Sequence, residues 1–182
     1  MFKKAYLFGL FFICFQASAQ IIRTQLPDST SNWSKENVVG LDISQITFVN
    51  WNAGGNNSVS GLLKGQFVRT YTNKNLVWKN ELIARYGINK QEKQDVRKTD
   101  DQFQLNSTFG YRTDTISNWY YAGKFNFNTQ FANGYAYPNT DLAISKSFAP
   151  AYTFLGVGSE YSRKDLNLTL YLSPLTQKTT LV

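Results

Sequence analysis

Residues 118–131 form a long stretch in which apolar and polar side chains alternate. Its odd positions are mainly aromatic, from Trp119 to Phe131, whereas its even positions are mainly polar, from Lys124 to Gln130. This alternation is typical of a β-strand with one apolar and one hydrated face. The stretch is longer than the ~5–6 residues usual in a soluble sheet and close to the roughly 9–11 that cross a bilayer as a tilted strand. It therefore favours a membrane-spanning β-barrel.

Residues 1–19 predict that the chain is exported. Lys3 and Lys4 precede an apolar core at residues 5–15, and Ala17-Ser18-Ala19 follows as the small-residue pattern of signal-peptide cleavage. We expect a signal peptide at 1–19 that is cleaved near Ala19, a flexible polar lead-in at 20–36, and a barrel at 37–182. An uncleaved helical anchor is the alternative, but the apolar core is shorter than the ~18–20 residues that a spanning helix needs.

The rest of the chain reads as strands and turns, with no apolar run long enough for a membrane helix. A membrane protein of this kind has to be a closed barrel, because lipid cannot satisfy an open sheet edge. We predict strands near residues 37–51, 58–72, 75–89, 101–113, 118–131, 149–162 and 165–173, with an eighth beginning near Thr179. A phase change in the first strand predicts a bulge near Ser44 and Gln45. Because the eighth strand has barely begun at Val182, we infer a truncated part of a larger barrel.

The predicted connectors alternate between short turns and segments that are longer on the whole, as in outer-membrane barrels with short periplasmic turns and longer outer loops. Barrels of this class carry girdles of aromatic residues at both membrane interfaces. The aromatic residues assigned to these interfaces are Trp51, Tyr71, Trp78, Tyr111, Trp119, Tyr121 and Tyr161. We therefore predict an all-β fold, an antiparallel up-and-down transmembrane β-barrel, and expect it in the outer membrane of a Gram-negative bacterium.

Side chains of the opposite parity are polar and suit a hydrated lumen. The candidate lumen-lining residues are Lys64, Lys79, Glu81, Arg85, Lys124, Asn126 and Asn128. Four cations against Glu81 predict a preference for small anions. The same polar set could instead be the solvent face of a soluble, exported β-sandwich that acts as a binding module.

Two predicted loops carry candidate binding residues. Lys90, Lys93, Arg97 and Lys98 could bind lipopolysaccharide phosphates, for which Arg offers bidentate contacts; alternatively they form a solvated loop with local ion pairs of little energetic value. Tyr135 and Tyr137 could bind sugars or a partner protein, or could pack over the rim of the barrel.

Two other motifs suggest chemistry that their surroundings do not support. Asp100 and Asp101 are neighbours on a predicted strand, so they point to opposite faces and do not form a carboxylate pair. The glycine-rich segment at residues 50–58 lacks the Lys-Ser/Thr and the following helix of a phosphate-binding loop, and we predict a hairpin loop.

The chain contains no histidine. Catalysis that relies on an imidazole and zinc sites built on histidine are therefore excluded. Carboxylate or Ser/Lys chemistry in the lumen, involving Glu81, Lys79 or Lys124, is the remaining catalytic alternative, and we expect a protein that is not an enzyme. We expect no cofactor and no metal.

Several motifs together resemble those of an uncharacterised outer-membrane family of Bacteroidota, a domain of unknown function. They are Asn50-Trp51-Asn52-Ala53-Gly54-Gly55-Asn56-Asn57-Ser58, Arg97-Lys98-Thr99-Asp100-Asp101, Trp119-Tyr120-Tyr121, Phe131-Ala132-Asn133-Gly134-Tyr135-Ala136-Tyr137-Pro138, Ala149-Pro150-Ala151-Tyr152 and Leu172-Ser173-Pro174-Leu175-Thr176. The resemblance implies an outer-membrane β-barrel and brings no known activity or catalytic residues. Members of that family are longer than this chain.

Two functions remain open. The protein is either a passive barrel, as a narrow pore or a structural element, or an inert frame whose outer loops bind lipopolysaccharide, a glycan or a partner protein. The net charge of +7 is spread along the chain without a basic patch, so we expect outer-membrane lipid and lipopolysaccharide as partners and no nucleic acid.

Overall fold

The computed structural model describes residues 31–49 and 55–182, and within them the chain is built from antiparallel β-strands. The strands are β1 Trp33–Ile46, β2 Ser58–Asn73, β3 Leu76–Gln91, β4 Arg97–Tyr111, β5 Trp119–Thr129, β6 Gly134–Tyr135, β7 Ala143–Ser145, β8 Ala151–Arg163 and β9 Leu168–Leu181. A single 3₁₀ turn at Lys164–Leu166 is the only helical element in this part of the chain. The predicted all-β, antiparallel up-and-down class is confirmed.

Seven strands form one sheet in the order β1-β2-β3-β4-β5-β8-β9, and β6 pairs with β7 in a separate small hairpin. β1 and β9 lie at the two edges of the large sheet, so the described residues form an open sheet. The predicted division of the last segment into two strands is wrong, because β9 is a single strand that runs through Ser173 and Pro174 and past Thr179.

The connectors lie at two ends of the sheet, which we name by their lengths. The short-turn end holds residues 74–75, 112–118 and 164–167, and the long-loop end holds 47–57, 92–96 and 130–150. The predicted loop at 89–100 is much shorter than expected, because Asn89 still pairs with Arg97 and extends both strands. Segment 92–96 is thus shorter than 112–118 at the opposite end, an exception to the predicted alternation.

Other predicted boundaries also shift. β1 already begins at Trp33, inside the predicted lead-in, where Trp33 pairs with Tyr71. The signal peptide, residues 20–30 of the lead-in, and Trp51 in the glycine-rich loop lie outside the described residues.

In the large sheet, two bulges occur at places that the sequence analysis did not predict. On β9, Ser173 and Pro174 together oppose Gly158, because Val157 pairs with Leu175 and Ser159 with Leu172. Proline has no N–H for the ladder and is commonly found at bulges and on edge strands, and β9 is both. On β4, Thr99 is the extra residue, since Gly87 pairs with Asp100 and Ile88 with Lys98. The predicted bulge near Ser44 and Gln45 is wrong, because β1 pairs with β2 without a register shift as far as Ile46.

The sheet is a single layer without a large core. In the described ranges the buried hydrophobic residues are Ala122 and Ala151, both small, and no large side chain is fully buried. The seven strands contact one another in sheet order, and the only other sheet within these ranges is the two-stranded β6–β7 hairpin. This arrangement lacks the inner core that a soluble sandwich requires. Among the described residues, no helix is long and apolar enough to cross a membrane.

Gly158→Ala should destabilise the sheet, because an added Cβ would overlap the backbone carbonyl of Leu172 across the bulge. We expect a loss of about 1–3 kcal/mol in the free energy of unfolding, the usual cost of overpacking. Gly61→Ala is the matched control, since a Cβ there meets nothing within 4 Å. Denaturant titration of both variants measures the difference, and equal stabilities would contradict the assigned register.

Candidate functional site

The strand register places all seven candidate lumen residues on one side of the sheet, which we call the polar face. Lys64 lies opposite Arg85. Lys79, Thr108 and Lys124 form one cross-strand row, and Glu81, Asn106 and Asn126 form the next. Asn128 lies opposite Gln104 on the same face. The structure thus brings these residues together as neighbours, while their role in a lumen stays a prediction.

Most of the cations on the polar face are paired with carboxylates. Lys64 Nζ lies 2.7 Å from Asp42 Oδ2, Arg85 Nη2 lies 2.5 Å from Asp100 Oδ2, and Lys124 Nζ lies 2.6 Å from Glu160 Oε2. Lys79 is the candidate cation without an ion pair among the described residues. Because these pairs neutralise the charge of three of the four cations, the predicted preference for anions loses its physical basis.

The sequence analysis did not identify the partners Asp42 and Glu160. Both have the parity of the polar face, but neither lies directly opposite its cation. Lys64 reaches diagonally to Asp42, and Lys124 extends past the position of Ala122 and Gly158 to reach Glu160. The Lys124 ammonium also lies 4.1 Å from the centroid of the Tyr171 ring, a distance typical of a cation–π contact.

Hydrogen bonds link polar side chains across four strands. Glu81 accepts hydrogen bonds from Gln66 Nε2 at 2.6 Å and from Asn106 Nδ2 at 3.0 Å. Asn126 Nδ2 continues the row by donating to Asn106 Oδ1 at 2.6 Å. A cavity of about 290 Å³ opens over this row, between Lys79 and Phe154. The arrangement suits water and small polar solutes. Within the described ranges, no three acidic, His or Cys side chains come together as a metal site.

A second group of contacts fixes the long-loop end, and we call it the loop-end cluster: Lys98, Asp101, Phe131 and Ala132. Lys98 Nζ binds Asp101 Oδ2 at 2.6 Å and donates to the Ala132 carbonyl at 2.8 Å. The two Asp101 oxygens accept the backbone N–H groups of Phe131 at 2.7 Å and Ala132 at 2.9 Å. The Asp101 side chain is only 4% exposed, and that of Lys98 only 14%.

Four of the six candidate loop-binding residues lie together around Tyr137, whereas Lys90 and Lys93 make no hydrogen bond, ion pair or ring contact with them in the described ranges. Lys98 is part of the loop-end cluster and is therefore unavailable to an external phosphate. Tyr137 accepts the Lys98 backbone N–H at 3.1 Å, and its ring lies 5.5 Å from the Arg97 guanidinium and 6.2 Å from the Tyr135 ring. The tyrosines thus pack against the loop end, while binding of sugars or a partner and packing over a barrel rim both stay predictions. Lys90 and Lys93 are exposed.

The carboxylates of Asp100 and Asp101 point to opposite faces, as predicted. Asp100 pairs with Arg85 on the polar face, and Asp101 joins the loop-end cluster. Burial raises the pKa of Asp101, but hydrogen bonds from Lys98, Phe131 and Ala132 outweigh burial, so its pKa lies below the ordinary value. Asp101 therefore stays ionised and holds the first residues of the long loop.

Aromatic side chains line the short-turn end of the other face, which we call the apolar face. Trp33 lies 5.2 Å from Tyr71 and 5.9 Å from Trp78 between ring centroids. Trp119 lies 5.1 Å from Tyr161, and Tyr111 and Tyr121 are exposed on adjacent strands. Six of the seven predicted interface aromatics therefore lie at this end, and Trp51 is outside the described residues. Trp33 was missed because it fell in the predicted lead-in.

Asp101→Asn should destabilise the protein by roughly 3 kcal/mol at neutral pH, because it leaves the mostly buried Lys98 ammonium without its counter-charge. Asp42→Asn is the matched control, since its pair with Lys64 is about half exposed and such pairs contribute at most about 1 kcal/mol. Denaturant titration measures both losses.

The same variant has a defined pH dependence. Because the pKa of Asp101 is lower in the folded state, its stabilisation is complete above the pKa of the unfolded chain and is lost as pH falls through the folded pKa. The difference in the free energy of unfolding between wild type and Asp101→Asn should thus be largest at pH 7. It should disappear below the pH range in which carboxyl groups usually titrate. A gap that persists in acid would contradict an ionic role for Asp101.

Comparison with known proteins gives one match. A family model with the description "Protein of unknown function (DUF3078)" matches residues 43–135, which extend from β1 to β6 and include the central strands of the sheet. No curated protein and no solved structure matches the chain. The match confirms the predicted resemblance to a family of unknown function.

Proposed function

Because the chain belongs to the family described as protein of unknown function DUF3078, whose description states no activity, we propose a function from the fold: a passive outer-membrane β-barrel. The apolar face is the lipid-facing surface in this proposal, and the polar face lines a narrow, hydrated lumen. The exposed apolar face of the single-layer sheet carries the proposal.

Large hydrophobic side chains lie exposed along the apolar face. Leu63 is 54% exposed, Leu155 47% and Leu170 48%, and all three have the parity of this face. Soluble monomers rarely expose contiguous apolar patches beyond a few hundred Å². Because each of these side chains is already about half covered, transfer to lipid would contribute roughly half of the ~1.5–3 kcal/mol that full burial provides, without a second protein layer.

The spacing of the aromatic residues supports the same orientation. On β3 the apolar face carries Trp78 and Tyr86, and on β4 it carries Phe103 and Tyr111, in both cases eight residues apart. Eight residues extend about 27 Å along a strand. For strands tilted by roughly 35–45°, this length corresponds to about 19–22 Å across the membrane, near the ~25 Å apolar band of outer-membrane barrels.

Closure of the barrel needs further strands in this proposal. In an up-and-down sheet of seven strands, β1 and β9 run in the same direction, so direct pairing between them would be parallel. Bacterial outer-membrane barrels are antiparallel and have an even number of strands. An odd number of additional strands, supplied from outside the described residues, would close this sheet.

The paired charges of the polar face favour a narrow pore or a structural barrel over a selective anion channel. Water columns and cross-strand ion pairs are usual for inward-facing charges. The alternative, an inert barrel whose outer loops bind lipopolysaccharide, a glycan or a partner, has less support, because Lys98 and Tyr137 are engaged in the loop-end cluster and its surroundings. Glu81 likewise accepts two hydrogen bonds from neighbouring amides, which suits a structural role better than a catalytic one.

Leu105→Arg and Gln104→Arg form a matched pair of neighbours on β4. Leu105 has the parity of the apolar face and Gln104 that of the polar face. If lipid covers the apolar face, Leu105→Arg should cost roughly 2–4 kcal/mol in lipid vesicles and Gln104→Arg much less. Equal effects in a urea titration of vesicle-bound protein would argue against this orientation.

The purified, signal-free chain should partition into detergent micelles or lipid vesicles and float with vesicles in a density gradient. A chain that stays folded and monomeric in plain buffer would overturn the membrane assignment.

Single-channel recording in planar bilayers tests whether the barrel is a pore. Absence of current from inserted protein would leave only the structural barrel.

A further inference from the structure

One polar row crosses the otherwise apolar face, and a lipid-facing role alone does not explain it. Lys35, Arg69, Asn80 and Ser107 lie directly opposite one another on β1, β2, β3 and β4. The next row towards the short-turn end contains Trp33, Tyr71 and Trp78 on the same face. The row therefore lies immediately inside the aromatic residues of that end.

Two like charges face each other in this row. Lys35 and Arg69 are partners in the antiparallel β1–β2 pair, so their Cβ atoms are about 4.5–5.5 Å apart, where like charges destabilise a sheet. Lys35 is exposed and makes no hydrogen bond or ion pair within the described part of the chain. An anion between the two side chains would remove the repulsion.

Hydrogen bonds from one nitrogen fix the Arg69 guanidinium and leave its other N–H donors free. Its Nη1 donates to Asn37 Oδ1 at 2.7 Å and to the backbone carbonyls of Val68 at 2.7 Å and Glu36 at 3.4 Å. In the described ranges its Nε and Nη2 have no acceptor. A fixed guanidinium with a free pair of donors is suited to bidentate contact with a phosphate group.

The chain itself offers no nearby counter-charge on this face. Within the described parts of β1 to β4, the one acidic side chain of that parity is Asp101, which lies at the opposite end and binds Lys98. Glu36 has the parity of the polar face, and its side chain lies on the other side of the sheet from Arg69. An anion that bound both side chains would therefore come from outside the described residues.

We propose that Lys35 and Arg69 bind the phosphate group of a membrane phospholipid at the short-turn end. This inference rests on the proposed membrane function, which places the short turns in the periplasm and this row one position inside the inner aromatic residues, from where long Lys and Arg side chains extend to the headgroups. The rings of Trp33 and Trp78, one row towards the turns, flank the bound headgroup. Asn80 and Ser107 extend the polar row, where Ser107 Oγ donates to Asn80 Oδ1 at 2.8 Å and accepts from Trp78 Nε1 at 2.9 Å.

The test measures binding of short-chain phosphatidylglycerol to the full chain in a neutral detergent by titration calorimetry, with short-chain phosphatidylcholine and inorganic phosphate as comparison ligands. We expect a preference for phosphatidylglycerol that weakens with added salt. Arg69→Gln should reduce its affinity by about tenfold, since the variant loses charge-assisted hydrogen bonds. Lys35→Gln should give a smaller loss in the same direction, and Arg69→Lys should restore part of the affinity.

Lys93→Gln is the matched control, because Lys93 is also exposed but lies in the turn at the opposite end. Lys35 has no hydrogen bond or ion pair to lose within the described part of the chain, so its variant keeps the test valid even if Arg69→Gln folds poorly.

Unchanged affinity in both the Lys35 and Arg69 variants would overturn the inference. Inorganic phosphate that competes as well as phosphatidylglycerol would also overturn it, because the site would then bind a free anion. A chain that floats with phosphatidylcholine vesicles but shows no dependence on Lys35 or Arg69 overturns this inference alone, whereas a chain that stays in buffer overturns the proposed function.

Discussion

The structure depends on the constraint that a single-layer sheet has two faces and no interior. Every strand residue projects either to the polar face or to the apolar face, and no second layer covers either within the described residues. Ion pairs and amide contacts make the polar face compatible with water, as Lys64 with Asp42 and Glu81 with Asn106 illustrate. The apolar face has polar contacts at Arg69, in the Asn80–Ser107 pair and in the loop-end cluster, but its other exposed side chains are mostly hydrophobic, so its stability depends on what surrounds the protein. The proposed lipid environment follows from this imbalance between the two faces.

Side chains along a β-strand alternate between two faces, and this two-residue period explains which features could be predicted from the sequence. Alternation alone placed Lys64, Lys79 and Lys124 on one face and Trp78 and Trp119 on the other, and the structure agrees with that division. The long strands were likewise predictable, since long alternating stretches favour extended structure, whereas the short strands β6 and β7 were not predicted. Most strand ends fell within a few residues of the predicted positions, as boundaries depend on pairing partners that a single strand does not reveal.

Contacts that depend on the register between strands could not be predicted from the sequence. Lys124 pairs with Glu160 because small residues such as Ala122 and Gly158 lie between them, a relation that appears only once β5 and β8 are aligned. The bulges show the same limit: Pro174 within a strand was a usable signal, but Thr99 carries none. The loop-end cluster also combines residues some thirty positions apart, Asp101 with Phe131. Hence Lys98 looked available in the sequence but is engaged in the folded protein.

The two edges of the sheet differ in their capacity to recruit another strand. β1 is regular from Trp33 to Ile46 and presents an unbroken series of backbone donors and acceptors. β9 is interrupted by Ser173 and Pro174, and irregularities of this kind protect natural edge strands from unwanted pairing. During folding, the β1 side is therefore the more hazardous template for aggregation. Early coverage of the β1 edge would therefore protect a nascent chain from aggregation, whereas the β9 edge can stay uncovered for longer.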